Sequence, residues 1–298
     1  RLTALPRYQV PMILQLKVPT NPSDMTPELT GSAGQCTPAD MIAFLAGLPL
    51  VSRPVVSKWF RQNPAIETKQ DSSPVTIADQ SVERGLRAAI AARFPDDMIM
   101  GEEFASTGNQ DSAYRWIIDP IDGTKAFISG KPAFGTLVGL LHHNLPVAGL
   151  VDMPVFAECY IGLNGFSGTH HATLNGAAIT HSGQSGLGAA RLATTSPRAL
   201  SAKRLVDFDR LADQVAVTNY GGDCHNYALL AAGHIDLVME DSLAAHDMMA
   251  VVALMLAADA TVSDLDGQPI RLGQSTSILA AATPQLHQAA LALISASG

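Results

Sequence analysis

Apolar positions recur at helical spacing once the chain passes residue 37. Thr37 is placed to cap a helix whose first residue is Pro38, and the prolines further along leave two possibilities, one helix with a proline-induced break or two short helices. A second apolar stripe of period 3.6 predicts a helix from about Asp79 to Arg93. The segment before Thr37 has no clear period and is rich in Pro, Ser, Thr and Gly, which is typical of a tail.

Strand-like runs follow these helices, in the segments DMIM, RWIID, GTLVGLL and PVAGLVD. From about residue 186 such runs alternate with helical segments as far as the C-terminal TPQLHQAALALISA, and this rhythm predicts layered α/β packing. We therefore predict a mixed α/β fold in three parts, with a boundary in HSGQSGLGAA. They are an N-terminal tail or arm (1–36), an α+β subdomain that carries the chemistry (37–185) and an α/β subdomain (186–298).

Composition narrows the function classes. The 298 residues are 47% hydrophobic, enough to bury a full core. A net charge of −8 without a basic stripe makes nucleic-acid binding improbable. The three cysteines are odd in number and lack a CxxC pair, which disfavours a disulfide framework or zinc site and fits a reducing cytoplasm. No apolar run approaches the roughly 20 residues of a membrane span, so we expect no membrane partner.

Two aspartates flank a proline at the end of an apolar run in WIIDPIDGTKAF. Because proline cannot donate a ladder hydrogen bond, we expect the strand to stop there, so that Asp119 and Asp122 face one cavity with the Ile121 carbonyl between them. Gly123 permits close approach to the backbone, and the N–H groups of Gly123 and Thr124 are placed to cradle a phosphate. Taken alone, an ordinary Asp-Gly turn explains the segment equally well.

Further carboxylates stand beside predicted strand ends and helix starts: Asp79 in SPVTIAD, Glu102 and Glu103 in GEEF, and Asp247 in AAHD. Singly, Asp79 and Asp247 are explained as acids in the first turn of a helix, and GEEF as a solvated turn. Mg²⁺, however, prefers a few carboxylate oxygens together with water and substrate phosphate. The joint occurrence of these acids favours a magnesium site.

The motifs GEEF, WIIDPIDGTKAF and the HD that opens MMAVVALMLAA resemble, in order and spacing, those of the inositol monophosphatase family of magnesium-dependent, lithium-sensitive phosphatases. KQDSSPVTIADQSVE is similar to the segment that precedes these motifs. The resemblance runs from about residue 38 to the C-terminus. It implies a layered αβαβα sandwich of the inositol monophosphatase and fructose-1,6-bisphosphatase type, a homodimer, and a small phosphate monoester as substrate.

The resemblance also implies two or three Mg²⁺ ions per active site. Glu102, Asp119 and the Ile121 carbonyl would hold the ion that activates water. Asp119, Asp122 and Asp247 would hold a second ion near the leaving oxygen, and a third, weaker ion would bind near Glu102.

The same resemblance assigns the remaining chemistry. Thr124, paired with Asp79, would orient and deprotonate the attacking water, and the amides of Gly123 and Thr124 would bind phosphate. Water would then attack phosphorus in line, without a phosphoenzyme.

Within the family, GGDCHNYALLAAGHIDLVMEDSLAAHDMMAV is most similar to the histidinol-phosphate phosphatase branch, which releases L-histidinol in histidine biosynthesis. Histidinol phosphate carries an ammonium and an imidazole, so an acidic pocket would favour it over a polyol. We predict that Asp223, Glu240 and His246 contact substrate. Asp223 is explained as well by a helix N-cap, Glu240 by a surface acid at a strand end, and His246 by a packing or surface histidine.

Two departures from the family pattern and several rival functions accompany this prediction. His246 stands where an aromatic residue usually precedes the aspartate, and Asp259 and Ala260 stand where glycines usually permit tight packing. We expect the chemistry to survive and substrate fit to be affected. Rival substrates are inositol 1-phosphate, fructose bisphosphate and adenosine 3′,5′-bisphosphate, and a rival of another class is a non-catalytic regulatory protein that binds a phospholigand.

Overall fold

The computed structural model describes residues 31–61, 66–68 and 74–295 of the chain. The helices in this part are α1 (Pro38–Gly47), α2 (Pro49–Trp59), α3 (Ile77–Arg93), α4 (Thr124–Ile128), α5 (Ala202–Ala212), α6 (Cys224–Ala231), α7 (Ala245–Ala257) and α8 (Pro284–Ser295). Most of the predicted tail lies outside the described residues. Its last part ends in a short 3₁₀ turn, Ala33–Gln35, whose Ala33 N–H donates to the carboxylate of Asp97.

A small hairpin and a large sheet hold the strands of the first half. The hairpin is β1 (Ile66–Thr68) with β2 (Pro74–Thr76). The eight-stranded sheet comprises β3 (Met98–Gly101), β4 (Thr107–Gly108), β5 (Tyr114–Asp122), β6 (Gly135–His142), β7 (Leu145–Met153), β8 (Glu158–Phe166), β9 (Thr169–Leu174) and β10 (Ala177–Ala178). Its order is β10-β9-β8-β7-β6-β5-β3-β4, and the pair β3 and β5 is parallel.

A second sheet of five strands follows in sequence. It comprises β11 (Arg191–Thr194), β12 (Val217–Tyr220), β13 (Leu237–Glu240), β14 (Thr261–Ser263) and β15 (Ile278–Ala281), in the order β12-β11-β13-β15-β14. The alternating half of the chain therefore forms helices and strands as its pattern predicts. The three-part division at residues 36 and 186 stays a prediction.

The sheets and helices stack in five layers. Helices α1, α2 and α3 share one core with the outer face of the large sheet, α6 and α7 lie in the core between the two sheets, and α5 and α8 cover the far face of the small sheet. This arrangement confirms the predicted αβαβα sandwich. Apolar burial on both faces of each sheet explains why strands such as GTLVGLL read as continuous apolar runs rather than alternating ones.

A row of glycines seats α7 on the large sheet. Gly139, Gly149 and Gly162 are cross-strand partners on β6, β7 and β8. A Cβ atom on Gly149 would stand 2.1 Å from the carbonyl oxygen of Ala250, and one on Gly162 would stand 2.5 Å from a Cα of α7. The absent side chains therefore let the helix approach the sheet closely, and this fixes where the N-terminus of α7 lies.

The N-terminal helices resolve the choice left open by the prolines. Thr37 accepts a hydrogen bond from Asp40 N at 3.2 Å and caps α1, and Pro49 begins α2, so two short helices form. Taken together, the span Pro38–Trp59 has the length and apolar composition of a membrane-crossing helix, contrary to the expectation that no run approaches that length. Several of its apolar residues, among them Met41, Phe44, Leu45, Leu48 and Val56, pack in the core beneath the large sheet, as those of a core helix do.

One prediction about the strand that carries the aspartates is wrong. Strand β5 does not end at Pro120 but continues to Asp122. The ladder to β6 pairs Asp119 with Leu137 and Asp122 with Gly135, so β5 has one extra residue there and forms a bulge. The bulge accommodates the proline, which has no N–H to pair, and the carbonyl of Pro120 accepts a hydrogen bond from Thr136 Oγ1 at 2.8 Å.

Candidate active site

The predicted carboxylates meet at one edge of the large sheet. Because β3 and β5 are parallel neighbours, their carboxyl ends lie together, and Glu102 N donates to the Ile118 carbonyl at 3.2 Å, just before Asp119. Asp79 lies in the first turn of α3 and Asp247 in the first turn of α7. Two strand ends and two helix starts therefore deliver the acids.

Two groups of side chains in this cluster are close enough to share a cation. One ligand atom each from Asp119, Asp122 and Asp247 lie within 4.8 Å of one another, and so do one each from Glu102, Asp119 and His246. Asp119 belongs to both groups, as a ligand bridging two ions would. The geometry is thus compatible with the predicted assignment of these carboxylates to two ions, and it adds His246 to the group of Glu102 and Asp119.

The electrostatics of the cluster favour a divalent cation. Burial raises the pKa of Asp119 well above its usual range, and the charges of Asp122, Glu102, Asp247 and Asp79 raise it further. The Oδ1 atom of Asp119 is buried and has no hydrogen-bond partner among the described residues. A buried carboxylate oxygen without a donor, surrounded by like charges, is stabilised by a metal ion, so the residues present fit Mg²⁺.

Backbone donors hold two of the acids in place. Asp122 Oδ2 accepts a hydrogen bond from Cys224 N at 2.6 Å, and Asp247 Oδ2 accepts one from Ala244 N at 2.7 Å. Burial raises the pKa of both carboxyl groups, and these hydrogen bonds oppose the rise. Asp247 is therefore the first-turn helix acid of the simpler interpretation and also a member of the acidic cluster.

The segment after β5 turns sharply into α4. Gly123 has φ 81° and precedes the helix, and Thr124 Oγ1 donates to the Ile121 carbonyl at 3.0 Å. That carbonyl is the predicted metal ligand, and its second lone pair is still available to a cation. The phosphate role of Gly123 and Thr124, and the pairing of Thr124 with Asp79, stay predictions.

Asp223 occupies a strained backbone conformation beside this turn. It precedes α6 with φ 45° and ψ −133°, and His225 N donates to the Gly222 carbonyl at 2.9 Å, which closes a turn of the type that prefers glycine at this position. In the described chain its side chain makes no capping hydrogen bond to α6. The carboxylate instead lies against Gly123, where an added Cβ would stand 3.2 Å from its Oδ2. Helix capping therefore does not explain this residue.

Glu240 is not the surface acid of the simpler interpretation. It is 2% exposed at the end of β13, and its Oε1 accepts a hydrogen bond from Thr195 N. Burial raises the pKa of Glu240 to about 7, against the lowering effect of the Thr195 donors. For Asp223, burial raises the pKa to about 6, while Lys125 and Lys131 lower it. Both carboxyl groups can therefore change charge near neutral pH.

Three groups near the site escaped the sequence analysis. The exposed Lys125 and Lys131 surround Asp223 with positive charge. The Tyr227 hydroxyl is buried without a hydrogen-bond partner among the described residues, and Glu240 is foremost among the charges that raise its pKa. A tyrosine in the apolar face of a helix is usually core, so no local signal in the sequence distinguishes it.

The fold and the site together define a class of protein: αβαβα sandwiches that carry a cluster of carboxylates, able to bind a metal ion, at the edge of a sheet. Residues 39–298 match the sequence profile of the inositol monophosphatase family, and the chain belongs to that family. A chloroplastic bifunctional phosphatase of Arabidopsis thaliana is 41% identical over 245 residues, 80% of this chain and 70% of the relative. A histidinol-phosphatase of Streptomyces coelicolor is 33% identical over 74% of this chain and 84% of its own length.

A solved structure agrees with this assignment. An inositol monophosphatase from Zymomonas mobilis superposes with a TM-score of 0.78 at 33% identity, over 87% of this chain and 99% of the other. The predicted family and fold are thereby confirmed, whereas the relatives differ in the substrate that their names give.

Proposed function

We propose that this protein is a magnesium-dependent phosphate monoester hydrolase whose substrate is L-histidinol phosphate. The observation that supports the choice of substrate is Glu240, a buried acid whose carboxylate interacts electrostatically with Asp223. Membership of a phosphatase family and the 33% identity to a histidinol-phosphatase support the reaction class.

In the proposed mechanism, Glu102, Asp119, Asp122, Asp247 and the Ile121 carbonyl would hold the metal. Bound Mg²⁺ supplies positive charge to the phosphoryl oxygens and lowers the pKa of water.

The remaining steps belong to side chains and backbone of the chain itself. Thr124 and Asp79 orient the attacking water, and Asp79 takes its proton. The backbone N–H groups of Gly123 and Thr124 hold the phosphate in line for attack, since the first amides of a helix lack intrahelical partners. The bond from phosphorus to the substrate oxygen breaks as the bond from water forms, and the leaving oxygen takes up a proton from solvent water to become the alcohol.

Substrate choice rests on charge. Histidinol phosphate presents an ammonium where inositol phosphate presents hydroxyl groups. A buried carboxylate binds the ammonium more strongly, through a charge-assisted hydrogen bond. Asp223 supports the same choice, because its side chain is not used for capping and a strained residue is often retained for function. His246, 3.6 Å from Asp247, would line the pocket next to the leaving group.

A panel of phosphate-release assays with and without Mg²⁺ tests the proposal. We expect magnesium-dependent hydrolysis, with kcat/KM for L-histidinol phosphate above that for inositol 1-phosphate, fructose 1,6-bisphosphate and adenosine 3′,5′-bisphosphate. Faster turnover of inositol 1-phosphate would overturn the substrate and leave the reaction class standing. No turnover of any member, with phosphate binding intact, would favour the regulatory alternative.

Inositol 1-phosphate is the second candidate substrate, and the Zymomonas mobilis structure favours it. The predicted homodimer and the predicted cytoplasmic location also remain proposals. Light scattering of the purified protein tests the first.

A further inference from the structure

The loop that carries Glu102 leaves the sheet before the residue is reached. Strand β3 ends at Gly101, and residues 102–104 form a bend that is partly exposed. The strand ladder therefore does not fix this ligand, apart from the bond from Glu102 N to the Ile118 carbonyl. Metal ligands need positioning by their surroundings, so some other contact has to hold the loop.

A carboxylate and a guanidinium on α3 supply that contact. Glu83 is fully buried, and its Oε2 accepts a hydrogen bond from Glu103 N at 2.7 Å. Its Oε1 accepts one from Arg87 Nε, also at 2.7 Å. One carboxylate therefore binds the loop directly and orients the arginine that follows one helical turn later.

Arg87 extends the contact to both sides of Glu102. Its Nη2 donates to the Phe104 carbonyl at 2.9 Å, and its Nη1 donates to Thr107 Oγ1 at 3.1 Å and to the Ile99 carbonyl at 3.4 Å. The planar fork of an arginine can make such divergent bonds at once, whereas a lysine cannot. Hydrogen bonds from α3 therefore hold the chain before Glu102, at Ile99, and after it, at Glu103 and Phe104.

Packing at Gly101 shows how tight this arrangement is. A Cβ atom on Gly101 would stand 2.1 Å from Glu83 Oε1 and 2.9 Å from an Arg87 nitrogen. Asp79 is one turn before Glu83 on the same helix. The helix that presents Asp79 to the site therefore also determines where Glu102 lies.

We propose that Glu83 and Arg87 are positioning residues that hold the Glu102 loop and thereby set the affinity of the site for Mg²⁺. The inference rests on the metal role of the proposed function. The direction of the change in Mg²⁺ affinity distinguishes positioning from simple electrostatics. If charge alone acted, removal of the positive charge of Arg87 would strengthen Mg²⁺ binding, whereas loss of the positioning contact weakens it.

Calorimetric titration of the purified protein with Mg²⁺ tests this inference in Arg87→Met and in the matched control Arg84→Met. Arg84 lies on the same helix and is exposed, and within the described part of the chain its contact with the loop is with the ring of Phe104, 5.0 Å from its guanidinium. We expect Arg87→Met to bind Mg²⁺ about 10- to 100-fold more weakly, as outer-shell substitutions typically do. Arg84→Met should bind as the wild type or slightly more tightly.

Kinetics separate positioning from lost folding. In Arg87→Met the Mg²⁺ concentration for half-maximal activity should rise while kcat at saturating Mg²⁺ stays within a few fold of the wild type, because the ligand itself is intact. A merely structural role would lower the folded fraction and leave the Mg²⁺ dependence unchanged. If Arg87→Met does not fold, Arg87→Lys takes its place, since it keeps the charge and loses the fork.

Unchanged or tighter Mg²⁺ binding in Arg87→Met, or wild-type affinity in Arg87→Lys, overturns the inference while the metal role survives. Absence of Mg²⁺ binding in the wild type overturns the proposed function itself.

Discussion

The two sides of the candidate site are built in different ways. On the sheet-edge side, Asp119 and Asp122 come from a single strand end, and their separation along the chain already indicates a shared cavity. On the other side, Asp223 directly precedes α6 and has a strained backbone, and Glu240 ends β13 and is buried. Under the proposed function, the first side would hold the cation and the second would discriminate between substrates. Substitutions should therefore separate catalysis from specificity.

The largest effect is expected from Asp122→Asn on the sheet-edge side. The amide keeps an acceptor for Cys224 N but loses the charge that would hold the metal, so magnesium-dependent hydrolysis should fall by more than about 100-fold, beyond a typical outer-shell effect. Phosphate-release assays and thermal unfolding measure the two consequences. The protein should stay folded, because the substitution relieves repulsion within the cluster. Asp209→Asn, an exposed acid on α5, is the control, and equal activity in both variants would remove the metal role of Asp122.

Glu240→Gln should change specificity and spare catalysis. Loss of a charge-assisted hydrogen bond is worth about 1.5–3 kcal/mol, so KM for L-histidinol phosphate should rise roughly 10- to 100-fold while inositol 1-phosphate is little affected. In the wild type, KM for histidinol phosphate should also rise as the pH falls below about 7, where Glu240 takes up a proton. Steady-state kinetics from pH 5.5 to 8.5 check both effects. Asp241→Asn, one residue further on, should leave both substrates unchanged; a parallel loss for both substrates in Glu240→Gln would contradict a specificity role.

The pH dependence of stability should distinguish the metal-binding cluster from ordinary surface acids. The raised pKa values of Asp119, Asp122 and Asp247 mean that the folded protein retains protons that the unfolded chain releases. Without metal, stability from these groups is therefore greatest at low pH and falls as the pH rises above about 4.

Magnesium should reverse that loss, because it binds the ionised carboxylates of the folded state. At a concentration one hundred times Kd it adds about 2.7 kcal/mol, and it should raise the thermal midpoint more at pH 8 than at pH 5. Calorimetric scans at the two pH values, with Mg²⁺ or with a chelator, measure the difference. An equal rise at both pH values would argue against binding through this cluster.

Asp223→Gly gives the smallest and most diagnostic effect. Glycine adopts positive φ freely, so relief of about 1–3 kcal/mol of strain, less the 0.5–1 kcal/mol entropic cost of glycine, should raise stability by about 1 kcal/mol. Discrimination in favour of histidinol phosphate should fall at the same time. Asp223→Ala keeps the strain and removes the carboxylate, so it should lose discrimination without the gain in stability. If Asp223→Gly is destabilised in urea unfolding, the strain does not have the assigned role.

Much of this architecture is predictable because it depends on local patterns. The stripe of α3, the proline starts of α1 and α2 and the alternation after residue 186 all reflect periodicity within single elements. The structure differs from the prediction where contacts between segments distant in sequence determine the conformation. Pro120 lies inside β5 because a bulge against β6 accommodates it, and neither the bulge nor the pairing is visible in the segment itself.

By itself, the sequence determined the family, the layered fold and the set of carboxylates, because these depend on motifs in which residue type and spacing carry the chemistry. Only the tertiary structure decided that Glu240 is buried, that Asp223 is strained rather than capping, and that Glu83 and Arg87 hold the Glu102 loop. The role of the glycine row, which lets α7 approach the sheet closely, is likewise visible only in the tertiary structure. The physical reason is that burial, strain and close approach are properties of pairs of distant segments, and a pattern along one segment does not encode its partner.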